Sequence, residues 1–116
     1  KHAGLMLPAP VQAATIAALG DETHVAEQRE RYRARRGILR PALEAAGYRI
    51  DASEAGLYLW VTRGVDAWED VARFADLGIV VGPGTFYGNG SPQHGRLSTT
   101  ATDAHIAEAA RRISGE

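Results

Sequence analysis

The stretch from Asp21 to about Ala46 constrains the fold more than any other part of this chain. Val25, Tyr32 and Leu39 fall seven apart, with Leu43 one turn further on, a spacing that predicts one long helix with a narrow apolar stripe. Gly47 is placed to end it. Gly37 and Pro41 are expected to weaken or kink it, because proline deletes a backbone donor and crowds the preceding turn. A 116-residue chain that commits so much length to one helix has only short segments left for the rest of its architecture.

Six arginines crowd between Arg29 and Arg40, interleaved with Glu27 and Glu30. A basic helix of this kind can track nucleic acid. A solvated face whose stripe packs inward explains the same pattern better, since acids alternate with the arginines and no aromatic platform accompanies them. The whole chain carries 13 basic and 14 acidic side chains, so its net charge of −1 supplies no general attraction to nucleic acid or an anionic membrane. Zero cysteine excludes disulfides, thiolate metal sites and thiol nucleophiles. No apolar run reaches the roughly 18 residues that a membrane helix needs.

Upstream of the long helix, Pro8 and Pro10 predict an extended or irregular entry, followed by a short helix over Val11–Leu19 that Gly20 stops. Leu5, Met6 and Leu7 make this opening unusually apolar. Residues 1–20 are therefore expected to dock on another part of a larger protein, and a first residue other than methionine points the same way. Residues 21–116 form the expected domain. Downstream, Tyr48–Ile50 predicts a short strand and Leu57–Val61 a clear one, with Leu57, Leu59 and Val61 on one face and Tyr58 and Trp60 on the other. Asp66 and Glu69 resemble a capping box that opens a helix to about Leu77, packed through Trp68, Val71, Ala72 and Ala75. Ile79–Val81 predicts a short buried strand, and Arg96–Thr99 the last one. Thr102 or Asp103 caps a final helix whose Ile106, Ala109, Ala110 and Ile113 share a face. The order α–α–β–β–α–β–β–α predicts an α+β fold, helices packed on a small, mainly antiparallel sheet.

Few residues invite chemistry. The loop from Gly82 to Gly90 suggests a phosphate cradle, but no Gly-Lys-Ser/Thr follows it and a loop with unusual backbone angles accounts for it. His2, His24, His94 and His105 lack metal-ligand spacing, and Ser53, Ser91 and Ser98 lack a nucleophile elbow. Asp51 and Glu54 read as turn residues rather than as a catalytic pair. Arg96 opens a strand directly after the glycine-rich loop. A guanidinium there could grip a carboxylate through two parallel hydrogen bonds, but on the pattern alone a solvated strand arginine is the better explanation.

Read together, Gly78-Ile79-Val80-Val81-Gly82-Pro83-Gly84-Thr85-Phe86-Tyr87-Gly88 and then Arg96-Leu97-Ser98-Thr99 resemble the C-terminal part of class I/II, fold-type-I pyridoxal-phosphate aminotransferases. Gly56-Leu57-Tyr58-Leu59-Trp60 is similar to the strand that precedes this region in the family, and Pro8-Ala9-Pro10-Val11-Gln12-Ala13-Ala14 to the segment after the cofactor lysine. Within the family, the wording from Lys1 to Gln12 looks most like actinobacterial succinyldiaminopimelate aminotransferases of lysine biosynthesis. The resemblance implies a small C-terminal domain, a large N-terminal domain that holds pyridoxal phosphate, a cytoplasmic homodimer, and amino-acid and keto-acid substrates. It gives Arg96 the role of binding the substrate α-carboxylate. Lys1, the only lysine, matches no cofactor residue of the family, so no catalytic, cofactor-binding or metal-binding residue is expected in this chain, and the chain alone is expected to be inactive and to hold no cofactor. The alternative is a non-catalytic α+β domain that binds an amino acid or serves a regulatory partner.

Overall fold

The computed structural model describes residues 4, 6–88 and 90–115. Lys1, His2 and Leu5, on which parts of the sequence reading rest, lie outside them. The chain divides into two compact units, residues 1–30 and 31–116.

In the first unit, α1 spans Ala9–Leu19. It starts two residues before the expected Val11, so the irregular entry is shorter than Pro10 suggested. Pro8 takes the cap position and Pro10 sits in the first turn, where a missing N–H removes no helical bond. α2, Glu22–Ala45, begins in this unit and continues into the second without ending at Gly37 or Pro41.

In the second unit, the buried residues of α2 are Arg35, Leu39, Ala42 and Leu43. Leu39 and Leu43 face inward as the spacing predicts and Arg35 and Ala42 join them, but Tyr32 is only half-buried; Val25, in the first unit, is exposed. α2 closes in a left-handed Gly47, with the Gly47 N–H donating to Glu44 O and the Tyr48 N–H to Leu43 O, which satisfies two terminal carbonyls. That turn feeds β1, Arg49–Asp51, which pairs with β2, Tyr58–Thr62. α3, Ala67–Asp76, follows, capped by the Asp66 carboxylate accepting from the Trp68 N–H. The same Gly-closed ending recurs at Gly78, with Gly78 N–H to Ala75 O and Ile79 N–H to Phe74 O.

Two expectations fail here. α3 does not pack through Trp68, Ala72 and Ala75, which are exposed; its inner face is Ala67, Asp70, Val71 and Phe74. The rotation places a carboxylate in the core, where Asp70 Oδ1 accepts from Tyr48 Oη at 3.0 Å and from Arg63 Nε at 2.6 Å. Hydrophobic periodicity cannot anticipate that, because a buried charge is tolerable only with partners supplied by other elements. Burial and the neighbouring Asp70 carboxylate push the Tyr48 phenol up to about 12. Nor do residues 79–81 form a buried strand. Val81 is buried, but Val80 is 98% exposed and the pairing falls on β3, Gly82–Pro83.

β3 pairs with β4, Gly95–Ser98, which also pairs with β2, so the antiparallel sheet runs β1-β2-β4-β3. Pro83, lacking a donor, sits on its outer strand. A short 3₁₀ turn, Gly84–Tyr87, leaves β3. α4, Asp103–Ser114, closes the chain behind a Thr102 cap and buries Ile106 and Ile113. These two pack with Leu39, Leu43, Leu59, Val61, Phe74 and Leu97 in one apolar core. The α+β architecture and its element order are those the sequence predicts.

Candidate functional site

The register of the sheet lines up four residues from four strands. Asp51 on β1 lies opposite Trp60 on β2, Trp60 opposite Arg96 on β4, and Arg96 opposite Gly82 on β3. Alternation along β2 and β4 sends Leu59, Val61 and Leu97 into the core, which leaves Tyr58, Trp60 and Arg96 on the other face. Pattern alone therefore places these side chains outward, but only strand pairing makes them neighbours.

The Arg96 guanidinium packs on two tyrosine rings, with its carbon 4.2 Å from the Tyr58 centroid and 4.8 Å from that of Tyr87. Rings over the planar face of a guanidinium attract its charge and leave the N–H groups at its edge available to an anion. Among the described residues no carboxylate pairs with it. The other buried or half-buried arginines are committed: Arg35 to Asp103 and the Thr99 carbonyl, Arg36 to the Gly56 carbonyl, Arg40 to the Ser53 carbonyl, and Arg63 to Asp70.

Tyr87 reaches Arg96 because Gly82 has no side chain; a Cβ there would stand 3.0 Å from the Tyr87 hydroxyl. Tyr87 also meets Trp60 edge-on at 5.8 Å. The loop that carries it closes on itself. Gly84 N–H donates to His94 O at 2.6 Å and His94 N–H to Ser91 O at 3.3 Å. A Cβ on Gly84 would run into the Ser91 and His94 carbonyls, so glycine is required there for close approach rather than for an unusual angle. The Gly84 amide is thus used within the loop and is not available to a phosphate.

His94 stacks on Trp60, centroids 5.4 Å apart and planes 9° from parallel, and its Nε2 lies 3.0 Å from Asp51 Oδ2. Hydrogen bonds from Arg49, and then from His94, hold the Asp51 carboxyl well below the usual carboxylate range. Asp51 thus ends β1 as a partner of these two side chains, not as the turn residue the sequence suggested. Tyr58, Trp60 and Tyr87 adjoin Arg96, and Asp51 and His94 adjoin Trp60; sequence reasoning tied neither Asp51 nor His94 to Arg96. The aromatic positions on β2 were visible as an outward face, but nothing in the sequence joins Asp51 to His94 across 43 residues.

A cavity of about 360 Å³ opens elsewhere, lined by Ile79, Val80, Leu97, Ala109, Ile113 and a single titratable side chain, His105. It gathers no charged groups. No group of metal-ligating side chains occurs among the described residues. They also contain no lysine, so they do not by themselves fit an aldehyde cofactor that is held by an amine.

The family model described as aminotransferase class I and II matches residues 2–113. The chain is 56% identical over 114 residues to the 4-dedimethylamino-4-oxo-anhydrotetracycline transaminase OxyQ of Streptomyces rimosus, covering 98% of this chain and 32% of that protein. An aminotransferase from Staphylococcus aureus shares the fold, with a TM-score of 0.84 at 24% identity, over 98% of this chain and 31% of its own. A probable N-succinyldiaminopimelate aminotransferase from Thermus thermophilus aligns at 29% identity with a TM-score of 0.62, over 72% of this chain and 23% of its own. The chain thus spans between a quarter and a third of the length of the curated relatives it matches.

Proposed function

Because this chain belongs to the class I and II aminotransferase family, we propose that it is the small C-terminal domain of a pyridoxal-phosphate-dependent aminotransferase, in which Arg96 binds the substrate α-carboxylate. The observation that carries the reading is a half-buried guanidinium packed on Tyr58 and Tyr87 with no carboxylate partner among the described residues. The two rings fix the plane of the fork, so a carboxylate meets donors already oriented, and orientation is what a bimolecular transfer needs most. Pyridoxal phosphate would supply the electron sink, from a site in the rest of the enzyme.

Residues 1–20 are the segment that docks on the large domain in this reading; Met6, Leu7, Ile16 and Leu19 there are more than half exposed. The family resemblance supports a cytoplasmic homodimer as the state of the complete enzyme. No helix among the described residues is long and apolar enough to cross a membrane.

In the complete enzyme, Arg96→Lys replaces a planar fork with a point charge and is expected to lower kcat/KM for the amino-acid donor at least tenfold. An unchanged value removes Arg96 from the site. For the acceptor, the wording of the first residues and the Thermus relative support a succinylated keto acid of lysine biosynthesis. The 56% identity to a tetracycline-pathway transaminase, with the rings of Tyr58, Trp60 and Tyr87 beside Arg96, supports a planar ring ketone instead. Turnover of N-succinyldiaminopimelate with 2-oxoglutarate, measured against turnover of a polycyclic ketone, decides between them.

A further inference from the structure

Building on the role proposed for Arg96, we propose that Asp51 and His94 are positioning residues whose hydrogen bond latches the Tyr87-bearing loop to the sheet and thereby sets the aromatic support of Arg96.

His94 stands at the closing point of the loop, since its carbonyl accepts from the Gly84 N–H across the loop's base. Its ring leaves that point and lies flat on Trp60, the direct cross-strand neighbour of Arg96. The Asp51 carboxylate is an acceptor only, so the Nε2 of His94 must donate to it, which fixes that end of the ring over β1. One side chain therefore ties the base of the loop to two strands. Trp60 in turn meets the edge of Tyr87, and Tyr87 covers Arg96, so the path from Asp51 to the guanidinium is continuous in van der Waals and hydrogen-bond contact. Arg49 grips the same carboxylate through Nε and Nη2, at 2.9 Å each, which holds Asp51 in place for His94. The base of the loop is tied to the sheet a second time, on β2, where the Thr62 hydroxyl donates to the Gln93 carbonyl. That bond keeps the loop's base on β2, and the β1–β2 ladder stays intact, so loss of the latch loosens the loop rather than unfolding the domain.

The test uses the full-length holoenzyme carrying Asp51→Ala, Asp51→Asn or Arg96→Lys. Asp51→Ala is expected to raise KM for the amino-acid donor about tenfold with a smaller change in kcat, and Asp51→Asn, which keeps an acceptor for Nε2, to restore most of the loss. Chymotrypsin cleavage after Phe86 or Tyr87 is expected to quicken several-fold in Asp51→Ala and to stay at the parent rate in Arg96→Lys. If Arg96→Lys is kinetically silent while the cleavage difference appears, the carboxylate reading fails and the latch stands as a loop clasp alone. Equal cleavage of parent and Asp51→Ala, or an Asp51→Asn variant no better than Asp51→Ala, overturns the latch whatever Arg96 does.

Discussion

Two glycines in the candidate site differ in what surrounds them, and they predict opposite phenotypes. At Gly84 the obstacle to a Cβ is backbone, the carbonyls of Ser91 and His94, which cannot step aside without opening the loop. Gly84→Ala is expected to cost about 1–3 kcal/mol through overpacking, read as a fall in the denaturant midpoint. At Gly82 the obstacle is the far end of the Tyr87 side chain. Gly82→Ala is expected to leave the midpoint nearly unchanged while displacing Tyr87 from Arg96, so that kcat/KM of the complete enzyme falls. Equal stability losses in both variants would mean that the Tyr87 ring is as immovable as backbone. Neither distinction was legible beforehand, because a glycine-rich stretch looks the same whether it serves a positive φ, as at Gly88, or a close approach, as at Gly84.

Among the elements, α2 shows how a charge run can carry structure. Read from spacing, its arginines form a solvated face. In the fold, Arg36 Nη1 donates to the Gly56 carbonyl at 2.6 Å and Arg40 Nη2 to the Ser53 carbonyl at 3.3 Å, which secures the connection between β1 and β2. Arg35 is 8% exposed and bridges α2 to the Thr99 carbonyl and to Asp103 in the first turn of α4. Its substitution by leucine keeps the apolar stem but strands a buried carbonyl without its donor. Asp103, largely exposed, returns to water without penalty. Arg35→Leu is therefore expected to destabilise the domain by about 1–3 kcal/mol, measured by urea unfolding, with Arg36→Leu costing less because its bond is exposed. A neutral Arg35→Leu would show that the bridge contributes nothing beyond its stem. The apolar periodicity of α2 was sound for Leu39 and Leu43 and misleading for Val25 and Tyr32, since the surface that a long helix covers need not extend along its whole length.

For the whole molecule, membership of the aminotransferase family sets the expectation that activity requires more than these residues. The isolated 116-residue chain mixed with pyridoxal phosphate is expected to show no stoichiometric visible absorption band and no amino transfer. A band that borohydride removes would overturn this and give the chain a cofactor site of its own. The sequence by itself determined the element order, the glycine-closed helix end at Gly47 and the inward positions of Leu59 and Val61, because each is a local consequence of side-chain periodicity or backbone freedom, whereas Arg96 stood out only through the family resemblance. Tertiary structure alone decided that Asp70 belongs in the core, that Val80 points away from it, and that Asp51, Trp60 and Arg96 share one row of the sheet. Those outcomes depend on which strands pair and in what register. A buried carboxylate or a packed guanidinium is stable only when residues distant in sequence arrive to meet it, and no local pattern encodes that arrival.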